Sequence, residues 1–198
     1  MRGYTDQSTI ENYMLKSIDA TFQIQLESWI EAVEKMIEQI TGRVFIADTE
    51  ASERIYNGQG DVRQKFDEFV IDSEENPGII IKLGEDEPRV TIEQGDYRIY
   101  PTNQENKSII ELKSASFERG YQNVRITAKW GSYREVPADI KLAATILVAG
   151  IINNSSPDKG MVRSESLGAY TISYANEKGW ADYTNAMLII LSHKRFSF

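Results

Sequence analysis

The sequence predicts an α+β fold that is mainly α: a helical bundle of about four helices with a small antiparallel β-sheet region inserted into it. Three observations carry that prediction. A long amphipathic run occupies Phe22 to Thr41, and short β-rich runs separated by Gly, Pro, Asn and Asp fill Val44 to Tyr133. An alanine-rich helical pattern then begins at Pro137. In a chain of 198 residues these make one domain in three parts. N-terminal helices occupy 1–50, the β-rich insertion 51–135, and C-terminal helices, a strand motif and a tail 136–198.

Taken in order, Ser8-Thr9-Ile10-Glu11 has the form of a capping box and opens a short helix to about Leu15–Ser17. In the next helix Phe22, Leu26, Trp29, Ile30, Val33, Met36, Ile37 and Ile40 recur at three- and four-residue steps, the spacing of one buried face. Thr41-Gly42 ends it, because Gly takes the left-handed conformation of a helix terminus without strain. Strands are expected at Phe66–Ile71, Ile79–Leu83, Arg89–Glu93, Tyr97–Tyr100, Ser108–Leu112 and Val124–Trp130. In the last of these Val124, Ile126 and Ala128 alternate with Arg125, Thr127 and Lys129, so one face is buried and the other wet. Pro137 suits a first helical turn, where its missing N–H costs nothing. Ile140, Ala143, Ala144, Leu147, Val148 and Ile151 then make an apolar stripe. Val162–Tyr174 reads as extended, and a last helix runs from about Trp180 to Ser192.

Composition excludes several chemistries. The chain has no cysteine, which removes thiolate metal sites, disulfide scaffolds and thiol nucleophiles, and its one histidine is His193. A Ser-His-Asp triad or a two-His zinc site has too few components. A net charge of −8 argues against free-standing binding to nucleic acid or to an anionic membrane. No secretory leader pattern is seen, and the longest apolar run, Leu142–Ile152, falls short of the roughly 18–20 residues that cross a bilayer. The expectation is a non-enzymatic protein without cofactor or metal, made in a cytoplasm.

Two charge patterns stand out. Glu27, Glu31, Glu34 and Glu38 share one helical face, which is either a solvated surface or a wall that repels a polyanion such as DNA sliding through a channel. The net charge is −5 over residues 1–50, −4 over 51–135 and +1 over 136–198. The chain ends Lys194-Arg195-Phe196-Ser197-Phe198, either a frayed terminus or an aromatic anchor for a partner's pocket.

Three stretches, in this order, resemble the head–tail connector proteins of long-tailed bacteriophages, also called head-completion or adaptor proteins. They are Ile37-Glu38-Gln39-Ile40-Thr41-Gly42-Arg43-Val44-Phe45 closing the long helix, Val136-Pro137-Ala138-Asp139-Ile140-Lys141-Leu142-Ala143-Ala144, and the strand motif Val162-Arg163-Ser164-Glu165-Ser166-Leu167-Gly168-Ala169-Tyr170-Thr171-Ile172-Ser173-Tyr174. In the last, Arg163, Ser164, Glu165, Ser166, Gly168 and Tyr170 carry the likeness.

The resemblance implies a structural virion protein at the head–tail interface, assembled in the host cytoplasm as a ring of about a dozen copies beneath the portal. Such a ring extends the DNA channel, lets DNA pass without reading its sequence, and offers a platform to a stopper or tail-completion protein. It implies portal docking by the C-terminal helix and tail, which singles out Leu191, Lys194, Arg195, Phe196 and Phe198, and it makes Glu27, Glu31, Glu34 and Glu38 a candidate channel wall. The alternative is a carbohydrate- or protein-binding module that uses Tyr97, Tyr100, Tyr121, Trp130 and Tyr133 of the inserted sheet as a platform. Those same aromatics could instead fill the sheet's own core.

Overall fold

The computed structural model describes residues 2–155, 163–167, 170–174 and 177–195. The chain divides into two compact units: Met1–Arg43 with Val136–Phe198, and Val44–Glu135.

The second unit is built from β1 (Ser52–Gly58), β2 (Arg63–Val70), β3 (Ile80–Leu83), β4 (Val90–Ile92), β5 (Tyr97–Tyr100), β6 (Lys107–Leu112) and β7 (Gly120–Trp130). All pairings are antiparallel. The order is β4-β3-β7-β2-β6-β5, with β1 also on β7. The long strand β7 organises the rest. Its Val124 is opposite both Tyr56 of β1 and Leu83 of β3, and its last two residues, Lys129 and Trp130, pair with Val70 and Phe69 of β2. The end strands β4 and β5 are joined by the single turn Gln94–Asp96, so the sheet curls into a nearly closed barrel.

This corrects the expected architecture. Strand makes up 27% of the chain against 37% helix, so the fold is α+β with a barrel-like sheet and four helices, not a mainly helical bundle carrying a small sheet. The unexpected element is β1. Its Ser-Glu-Arg-Ile-Tyr-Asn-Gly run places its only two apolar residues side by side, so no alternation signals a strand. It becomes one because β7, far along the chain, supplies its hydrogen-bond partners.

The barrel has its own core, in which Phe66, Phe69, Ile81, Ile110, Phe117, Val124, Ile126 and Trp130 are buried. On β7 the predicted alternation holds: Val124, Ile126, Ala128 and Trp130 point inward, and Arg125, Thr127 and Lys129 are half-buried on the other face. The rings meet edge-on, Tyr56–Phe66 at 5.0 Å, Phe66–Phe117 at 5.4 Å and Phe69–Trp130 at 5.9 Å between centroids. Trp130 satisfies its one polar atom by donating Nε1–H to the Ser52 carbonyl at 2.7 Å. Gly131 follows at φ +144, and any side chain there would overlap the Ala47 backbone. The two ends of this unit lie together: Ser132 N–H donates to the Val44 carbonyl, Ala47 N–H to that of Tyr133, and Ile46 and Tyr133 form a parallel bridge.

The first unit contains α1 (Gln7–Met14), α2 (Ala20–Thr41), α3 (Ala138–Asn154) and α4 (Glu177–Ser192), with β8 (Arg163–Leu167) paired antiparallel to β9 (Tyr170–Tyr174). Helix α3 contacts the other three helices. That position explains its composition: Ile140, Ala143, Ala144, Thr145, Leu147, Val148, Ala149 and Ile152 are all buried, more than one stripe of the helix. Its alanines let the neighbouring helices approach closely. Gly42 ends α2 at φ 66, with its N–H on the Glu38 carbonyl, as the sequence predicts. The first helix starts otherwise than expected. Asp6, not Ser8, is its cap and accepts from Thr9 N–H at 2.9 Å, while Ser8 donates its hydroxyl to Asp6. Glu11 accepts from Ile18 N–H instead of reaching back to the cap.

Candidate functional site

Two places on the helical unit gather the residues to which the sequence points: the acidic row of α2, and the segment that follows α4. The α2 row does not form one solvent-facing surface. Glu27 and Glu31 are exposed, and Glu31 pairs with Lys35 one turn on at 2.7 Å. Lys35 holds the Glu31 carboxyl below its ordinary value. Glu34, by contrast, is only 2% exposed. Its two oxygens accept backbone N–H groups from Arg2 at 2.6 Å, Gly3 at 2.7 Å and Tyr4 at 2.9 Å. Glu38 accepts the Tyr4 hydroxyl at 2.8 Å and lies 3.7 Å from the Arg2 guanidinium. A wall of four carboxylates is therefore not what α2 presents. Two of them bind the N-terminal segment, because a segment without secondary structure needs acceptors for its buried N–H groups.

No periodicity marks that segment in the sequence. Tyr4 is fully buried, and the Thr5 hydroxyl meets that of Thr145 on α3 at 2.8 Å. The signal lay in the position of Glu34. It is four residues after Ile30 and three before Ile37, inside the apolar stripe, so it had to be buried with partners.

The segment after α4 is also folded onto its own unit. His193 Nε2 is 2.7 Å from Asp139 Oδ2, in the first turn of α3. Lys194 N–H bonds the Leu191 carbonyl, and Arg195 N–H donates to the Thr41 carbonyl at 2.8 Å, so Arg195 is tied to the end of α2. Partial burial works to raise the Asp139 carboxyl, but the hydrogen bonds from His193 and from Ile140 N–H hold it below its ordinary value. Leu191 and Lys194 are exposed and Arg195 is half-buried. Phe196 and Phe198 lie outside the described residues.

In the family-motif stretch, Arg163, Ser164, Glu165 and Ser166 belong to β8 and Tyr170 to β9, with Ser164 opposite Ser173 and Ser166 opposite Thr171. Gly168 lies outside the described residues. The aromatics of the alternative reading do not share a surface. Trp130 and Tyr97 are buried, Tyr100 is half-buried under the Arg63 guanidinium at 4.7 Å, Tyr133 is half-buried, and Tyr121 alone is well exposed.

Concavities open on the β unit among the described residues. One of about 310 Å³ is lined by Glu74, Gln94, Arg98 and Tyr100 among others, and one of about 560 Å³ by Glu85, Ser114, Ser116, Arg119 and Asn123 among others. Among the described residues no three His, Asp or Glu side chains are grouped to hold a metal, and no helix is long and apolar enough to cross a membrane.

No protein-family model matches the chain, and no curated protein matches it. Among solved structures, it is similar to a chain from the neck of an empty gene transfer agent (GTA) particle computed with C6 symmetry. That likeness has a TM-score of 0.56 at 13% identity and covers 98% of this chain and 91% of that one. It is a likeness of fold.

Proposed function

We propose that this chain is a structural component of the head–tail interface of a phage-like particle, a connector that works as a ring of identical copies beneath the portal. The observation that carries the reading is the fold likeness to a particle-neck chain over 98% of the length. It agrees with a separate signal, the three ordered stretches that resemble the connector family. A ring extends the DNA channel and presents one face to the portal and the other to a stopper or tail-completion protein. The role is structural and non-catalytic.

Portal docking falls to the end of the chain. Arg195 is fixed through its backbone to Thr41, at the end of α2. Phe196 and Phe198 are the anchors and Arg195 the charge contact in this reading.

Co-sedimentation of the full chain with the portal protein of the same genome, beside a chain ending at Ser192, tests it. Stoichiometric co-migration of the full chain alone is expected. Co-migration of both keeps the function and removes the tail from docking. A full chain that stays in its own fraction overturns the proposal.

A further inference from the structure

Leu15 and Ile24 are the most exposed large apolar side chains among the described residues, at 91% and 87%. They sit close together in the chain, at the corner between α1 and α2. Leu15 caps α1 at φ 54, a conformation that costs a non-glycine residue, and Ile24 is in the second turn of α2. One turn after Ile24 comes Glu27, exposed and with no ion-pair partner among the described residues.

A second apolar face lies on α4. Leu188 is 61% exposed and Leu191, one turn on, 47%. One further turn brings Lys194, also exposed and without an ion-pair partner among the described residues. Each face is thus apolar with a single unpaired charge one turn further along, and the charges are opposite.

We infer that the α1–α2 corner of one copy seats on the α4 face of a second copy, with Leu15 and Ile24 against Leu188 and Leu191, and Glu27 beside Lys194. The two faces do not cover one another within one chain, where Leu15, Ile24, Leu188 and Leu191 all remain exposed. A contact between two different faces is head-to-tail, so each copy keeps one face of each kind free for the next neighbour. The inference deepens the ring reading above and rests on it for closure, since an unclosed contact of this kind would grow a filament.

The absence of cysteine makes a direct test available. The full chain carrying Ile24→Cys and Leu188→Cys is oxidised mildly, alone and with the purified portal protein. The two single variants and a Gln39→Cys/Leu188→Cys control are treated identically. The double variant is expected to give a ladder of dimer, trimer and higher species, while the Ile24 and Leu188 single variants stay monomeric. Lys194→Glu should weaken the ladder about fivefold or less, the effect of one exposed ion pair, and adding Glu27→Lys should restore it. A double variant that links no better than the control, with and without portal, overturns the inference. So does a dimer from Leu188→Cys alone, which would mean a two-fold contact. Portal co-sedimentation without a ladder would leave the connector reading standing and remove only this contact. A ladder from a chain that ignores the portal would do the reverse.

Discussion

Glu34 of α2 accepts the backbone N–H of Tyr4 at 2.9 Å, and the same oxygen accepts that of Gly3. One carboxylate inside a helix stripe thus does for the N-terminal segment what a neighbouring strand would do for a sheet edge. Replacement by Ala leaves three backbone donors without an acceptor. The expected loss is about 2–4 kcal/mol, since part of the segment can turn to water. Glu34→Gln keeps one acceptor and should lose clearly less. Urea midpoints at unchanged m-value measure both.

At the start of α1 the cap is Asp6, with Ser8 as its donor. Asp6→Ala should cost about 1 kcal/mol and Ser8→Ala only a few tenths, the reverse of what a capping box centred on Ser8 requires. The same unfolding curves compare the two variants, and a larger loss from Ser8→Ala would return the cap to Ser8.

The Asp139–His193 contact predicts an acid limb. The Asp139 carboxyl titrates lower when folded than its ordinary 3.8. The unfolded chain therefore binds its proton first, and the stability from this group is complete above that value and lost as pH falls through the folded one. The side chain is about half exposed, so the contribution is small. Asp139→Asn should flatten stability against pH in the acid region, read from urea midpoints across the pH range.

In the β unit, Asn123 is buried and joins the end of β1 to the segment before β7, accepting from Gly58 N–H at 2.8 Å and donating to the Glu118 carbonyl at 2.7 Å. Asn123→Ala leaves both unpaired and should cost about 2–3 kcal/mol. Hydrogen exchange at Gly58 should accelerate more than at Ile126 in the middle of β7.

Most local features are legible in the sequence, the start of α1 excepted, where Asp6 takes the place expected of Ser8. The α2 stripe, the Gly42 terminus and the β7 alternation depend on residues within one or two turns or pleats of each other. What stayed hidden depends on distant partners. β1 has no periodicity of its own and is a strand only because β7 pairs with it. The barrel closes through contacts that no window along the chain contains. The acidic row of α2 was visible, but spacing by three and four places Glu27 and Glu34 on neighbouring lines of one surface. It does not say that one faces solvent and the other the N-terminal segment.

The clasp at the base of the β unit, where Val44 and Ser132 share a hydrogen bond and Ile46 bridges Tyr133, has a consequence for how the chain can change over time. The chain leaves the helical unit and returns to it within about one strand spacing of roughly 5 Å. For the helices, everything between is equivalent to a short loop whatever its length, because the ends are already held together and closure entropy grows only slowly with what lies between them. The barrel is in this sense a cassette. It can be lengthened, rebuilt or exchanged for a few linking residues while the gap between Arg43 and Val136 stays the same.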